Sequence, residues 1–149
     1  MRVAYLILLC GLSVVVAGGC QTTGPGSQAA PLPDNVAIIP PAEDVAPEFA
    51  AYSGTWRGRW GDSLDSYLVV EVVEPPSAEV IYSVGTNAVI RNSEWDRYSG
   101  EFEDGQLVVR FNPGIAATFR HTDSDTLAAV YDNAHHPDWH ATATFRRVD

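Results

Sequence analysis

Glu94-Trp95-Asp96-Arg97-Tyr98-Ser99-Gly100-Glu101-Phe102, then Glu103-Asp104-Gly105, then Gln106-Leu107-Val108-Val109-Arg110-Phe111: this stretch decides the fold. Two runs rich in aromatic and β-branched residues flank an Asp-Gly pair. Such a pair supplies the positive φ that a tight hairpin turn needs. The run 94–102 alternates charged or polar positions with Asp96, Tyr98, Gly100 and Phe102, so one face is set aside for an interior. Antiparallel pairing of 94–102 with 106–111 follows.

The same grammar extends both ways. Tyr52–Trp60, Ser66–Val73 and Glu79–Val84 read as strands before the hairpin, and Ala116–His121, Thr126–Tyr131 and Trp139–Val148 after it. No long period of 3.6 residues competes with the alternation. Glu74-Pro75-Pro76-Ser77 and Thr122-Asp123-Ser124-Asp125 carry turn chemistry. About eight short antiparallel strands over roughly a hundred residues predict an all-β fold, a single up-and-down barrel or else a sandwich. Closing the sheet would remove its exposed edges.

Phe49-Ala50-Ala51-Tyr52-Ser53-Gly54-Thr55-Trp56 resembles the opening of lipocalins and related calycins, which enter their first strand through Gly-x-Trp. The resemblance implies a closed barrel and an arginine near the end of the last strand, packed across that tryptophan. Arg146-Arg147 stands there, and inward alternation of Trp139, Ala141, Ala143 and Phe145 selects Arg147. Gly54, Trp56 and Arg147 are thus the expected closed end. A guanidinium over an indole contributes about 0.5–2 kcal/mol. His121 is expected at the same pole, as a hydrogen-bonding side chain.

An up-and-down barrel gathers the loops after its odd strands at the other pole. Two of these, Gly85–Ser93 and Asp132–Asp138, are long enough to surround a mouth. Period-2 alternation points Trp60, Leu68, Val84, Asp96, Tyr98, Phe111, Tyr131 and Trp139 inward near it. The candidate ligand-binding residues are Trp60, Asp96, Tyr98, Phe111, Tyr131 and Trp139, a mainly aromatic set suited to a flat or partly apolar molecule. An eight-stranded interior is just wide enough to be filled by side chains or to admit one small ligand, and both outcomes stay open.

Asn133-Ala134-His135-His136-Pro137-Asp138-Trp139-His140 has metal-ligand chemistry. On an extended strand His136, Asp138 and His140 share a face opposite Trp139 and Ala141, outside the barrel. They are therefore expected to form a solvated loop. No cofactor is expected. Gly54-Thr55-Trp56-Arg57-Gly58 also resembles the opening of nitrobindin-type haem barrels, which implies haem through one of these histidines as a variant reading. Asp62, Asp65, Asp96 and Asp132 are carboxylates that could meet at the mouth. No Gly-x-Ser-x-Gly elbow, zincin motif or nucleotide loop occurs, so a non-catalytic role is expected.

Upstream, Met1-Arg2, the apolar run Val3–Ala17 and Gly18-Gly19-Cys20 read as an export signal. The cysteine after two glycines resembles a bacterial lipoprotein signal. That resemblance implies cleavage after residue 19, acylation of Cys20 and, with Gln21 next, sorting to the outer membrane. A secretory peptide cut nearby is the alternative. Residues 20–46, rich in proline and small polar residues, are expected to be a flexible tether of roughly 30 Å. Val36-Ala37-Ile38-Ile39 could dock within it. Residues 47–149 form the expected barrel domain.

Composition removes whole classes of function. Without Cys10 and Cys20 the remainder holds no thiol, which excludes a disulfide framework and any zinc–thiolate site. Lysine is absent, so Schiff-base chemistry and a Walker-type loop are excluded. A net charge of −10 disfavours nucleic acid as a partner. The expectation is a lipid-anchored envelope protein facing the periplasm, held by its N-terminal lipid and binding a small apolar or aromatic ligand or lipid. The alternative is a filled barrel acting as an interaction or inhibitor module for a cationic envelope protein. In general design that alternative resembles anchored lysozyme inhibitors.

Overall fold

A computed structural model describes residues 27–148. Cys20 and the apolar run before it lie outside the described residues. A one-turn helix, α1 (Pro47–Ala50), leads into eight strands: β1 (Gly54–Trp60), β2 (Leu64–Glu74), β3 (Ser77–Val84) and β4 (Glu94–Glu103). β5 (Gln106–Asn112), β6 (Ile115–Asp123), β7 (Thr126–Asn133) and β8 (Ala141–Val148) follow. Each strand pairs antiparallel with its neighbour in sequence, and β1 also pairs with β8, which closes the barrel. The sandwich alternative is thereby excluded. Asp104 and Gly105 both take positive φ in the β4–β5 turn, as the Asp-Gly signal requires.

The closed pole is built around one indole. Trp56 is fully buried, and its Nε1 donates to the carbonyl of Tyr52 at 2.9 Å. Register places Arg147 beside it across the β1–β8 seam. The guanidinium carbon stands 4.1 Å from the indole centroid, while Nη1 and Nη2 donate to the Ser53 and Ala51 carbonyls at 2.8 Å each. One side chain therefore caps the tryptophan and satisfies two backbone acceptors at the entry to β1. Gly54 is required here. Its φ is +128°, and a Cβ would lie 2.5 Å from Arg147 Nη1. The Tyr52 hydroxyl donates to the Gly105 or Phe119 carbonyl, which ties the approach to β1 to the far wall. His121 lies at this pole as expected, edge-on to Tyr52 and Trp56 at 4.3 and 5.4 Å.

Above this cap the interior is filled. Leu68, Leu107, Phe119, Leu127 and Phe145 are all fully buried. Gly58 and Gly100 make room for large neighbours, since a Cβ at either would strike the Phe145 ring or Leu107. Leu68, expected near the mouth, belongs to this mid-height core because it sits opposite Trp56 in register.

The segment 27–46 departs from the expected tether. It is laid along the outer wall by two buried carboxylates. Asp65 accepts from the Ala30 amide at 2.9 Å and pairs with Arg57. Glu71 accepts from the Ala37 amide at 2.9 Å and pairs with Arg97, whose guanidinium also reaches Asn35. The Ile39 amide donates to the Glu71 carbonyl, so the docking of Val36–Ile39 is observed. Composition alone missed this clamp because its partners lie on β2 and β4, distant in sequence.

Hydrogen bonding from Arg97, reinforced by the Ala37 amide, holds the Glu71 carboxyl below its ordinary range despite burial. A depressed folded-state value means stability that is present above the ordinary glutamate value and lost as pH falls through the folded one. Urea midpoints measured between about pH 6 and pH 3 should therefore fall more steeply for the wild type than for Glu71→Gln. Parallel curves would contradict the clamp.

Candidate functional site

At the pole opposite Arg147 the walls separate. β4 and β5 are paired only from Gly100 to Glu103 on β4, and β1 and β8 only from Thr55 to Gly58 on β1. Beyond those points the barrel flares. The flare is bordered by the loop 85–93 and by 134–140 between β7 and β8. Asn87 Oδ1 accepts from the Val89 and Ile90 amides at 2.9 and 2.7 Å, folding the first loop over the opening. Buried Asn133 does the same for the His135 and His136 amides, and His135 Nε2 lies 2.8 Å from the Pro113 carbonyl.

These elements enclose a cavity of about 590 Å³. Its floor is a mesh of rings. Trp60 packs edge-on to Tyr131 and Phe145, and Phe111 meets Tyr82 at 4.7 Å and Tyr98 at 5.1 Å between centroids. Trp60 Nε1 donates to the Tyr82 hydroxyl at 2.6 Å, which orients both rings. Burial pushes the Tyr82 phenol far above its ordinary value, so it stays neutral and hydrogen-bonded. Tyr98 is raised too, first by burial and then by the charges of Asp96 and Glu94. The interior is thus filled below and open above, and the two outcomes left open by strand number both occur at different heights.

All six mouth residues read from the sequence line this cavity: Trp60, Asp96, Tyr98, Phe111, Tyr131 and Trp139. Trp139 does so from a position that was not expected. β8 begins at Ala141, so Trp139 lies in the preceding loop, stacked on His136 at 4.6 Å and 58% exposed. The outward face expected for His136, Asp138 and His140 does not form, because no strand runs through them. His140 turns to the cavity wall, where its Nδ1 lies 2.9 Å from Asp132 Oδ1. Among the described residues no group of three or more His, Cys, Asp or Glu is placed to hold a metal ion. Of the four carboxylates expected to meet at the mouth, Asp96 lines the cavity, while Asp132 only touches its wall through His140. Asp65 sits in the outer-wall clamp and Asp62 lines the outer groove, because the β1–β2 turn carries them away from the opening.

Tyr82, Val89, Ile90 and Glu94 also line the cavity and are absent from the sequence-based set. Tyr82 was within reach, since it shares the inward face of β3 with Val84. Val89 and Ile90 carried no signal, because a loop has no period from which to infer a direction. A wider groove of about 850 Å³ runs along the outer wall beside Arg57, Arg59 and Arg146, but no aromatic side chain lines it. A smaller apolar pocket of about 500 Å³ lies between the docked segment and β2, lined by Ile39, Val45, Phe49 and Val73. Small-molecule sites are concave and mainly apolar with a few convergent polar groups, and the mouth joins that character to a floor of aromatic rings. No known family model and no curated protein matches the chain.

Proposed function

We propose that the chain is an exported lipoprotein, anchored to the outer membrane through acylated Cys20, whose calycin-like barrel binds a small apolar or aromatic ligand at its mouth without catalysis. The observation that carries the binding function is the ring-lined cavity above a filled core. Exposed Val89, Trp95 and Trp139 around its rim support the same reading, since apolar side chains at an opening favour capture of an apolar guest. The anchor rests on the Gly18-Gly19-Cys20 sequence. Barrel identity rests on the Gly54–Trp56–Arg147 arrangement.

Native mass spectrometry of the full chain extracted from its own membranes tests both parts. The expected species starts at Cys20, carries the added mass of acyl chains, and releases a non-covalent small molecule on collisional activation. Retention of residues 1–19 without acylation would overturn the anchor. The rival reading, an interaction module for a cationic envelope protein, draws on the net charge of −10. It predicts a salt-sensitive complex with a basic protein and an empty mouth. That result would overturn ligand binding.

A further inference from the structure

The charges around the mouth are one-sided. Among the described residues Glu94, Asp96 and His140 are its only ionisable lining groups apart from the tyrosines. His140 already lies against Asp132. Among the described residues no basic side chain pairs with Glu94 or Asp96, and the only hydrogen bond to the Asp96 carboxylate comes from the Arg97 amide at 2.8 Å. Arg97 itself turns to the opposite wall face, where Glu71 and Asn35 hold it. The loop arginine, Arg91, does not line the cavity. Two uncompensated carboxylates therefore stand at the rim of a pocket whose floor is made of aromatic rings.

We propose that the mouth selects an organic cation, an apolar body carrying an amine or quaternary ammonium whose charge sits between the rings of Tyr98, Phe111 and Tyr131 and the carboxylates of Glu94 and Asp96. Ring faces attract cations through their quadrupole, and the attraction grows where water is excluded. Nearby carboxylates add a Coulomb term of the same sign. A fatty acid or other anionic amphiphile meets the reverse situation, with its head group facing two like charges. Burial is the main cause of the upward shift of Tyr98, and the charges of Asp96 and then Glu94 push it the same way, as a negative field reaching into the pocket requires. This inference rests on the reading of the mouth as a ligand site and adds the sign of the ligand.

Three probes of one shape separate the two statements: 2-naphthylmethylamine (cationic), 2-naphthalenemethanol (neutral) and 2-naphthoate (anionic). Each is titrated calorimetrically into the full chain at neutral pH. The cation should bind about tenfold or more tighter than the neutral probe, with the anion weakest, and the margin should shrink as salt is added. In Glu94→Gln/Asp96→Asn, the ratio of cation to neutral affinity should fall toward one. Equal binding of all three probes would overturn the charge preference and leave the cavity reading standing. An undiminished margin in the double variant would overturn the role of these carboxylates. Failure of every probe to bind would overturn both.

Discussion

Trp56→Ala is expected to destabilise the chain by about 3–5 kcal/mol, the largest effect of any single truncation in the barrel. The indole is fully buried at the pole where the sheet closes, so its removal leaves a cavity that the flanking strands cannot collapse to fill. Two further losses coincide. The Tyr52 carbonyl loses its donor, and the Arg147 guanidinium loses the surface on which it lies. For a barrel of roughly a hundred residues this corresponds to a fall in Tm of well over 10 °C. Trp56→Phe keeps a ring beneath the guanidinium and should lose markedly less. Thermal and urea unfolding of the two variants check the order, and equal losses would contradict the account of the indole.

Arg147→Ala is expected to cost about 2–3 kcal/mol, large for a side chain that remains partly exposed. Hydrogen bonds to the Ser53 and Ala51 carbonyls disappear together with the cation–ring contact. The two carbonyls lie at the entry to β1, so their release loosens the strand that closes the sheet against β8. Arg147→Lys keeps the charge but lacks the planar fork that serves two acceptors at once. It should recover less than half of the loss. Full recovery by lysine would show that charge alone matters, and urea midpoints decide between the two.

Strand number, order and polarity were legible in the sequence because each rests on local information. Alternation over 94–102 gives a face, and Asp104-Gly105 gives the turn. The even turns are short and two of the odd loops, 85–93 and 134–140, are long, which gives the barrel unlike ends. The mouth residues on strands were legible for the same reason, since period 2 fixes inward and outward once a single residue is placed. What escaped was whatever depends on residues far apart in the chain. The docking of 27–46 needs Asp65 and Glu71, which a composition reading of a proline-rich stretch cannot supply. The start of β8 was placed two residues early, because Trp139 continues the apolar alternation of Ala141 and Ala143. Its stacking on His136 and the pairing of His140 with Asp132 hold it in a loop instead. The rim carboxylates were half seen. Asp96 was found by alternation, but Glu94 was missed, although it lies two residues earlier on the same face of β4 and was within reach of the same reasoning.

A barrel sealed at one pole leaves the other free for a guest, and the two poles are distinguishable in one spectrum. Amide resonances of the full chain, recorded while 2-naphthylmethylamine is added, test this most directly. Shifts are expected on the strands around Tyr98, Phe111 and Tyr131 and in the loop 85–93, while Trp56 and Arg147 stay unmoved. Shifts centred on the Trp56–Arg147 pole, or spread along the outer wall with none at the mouth, would contradict it.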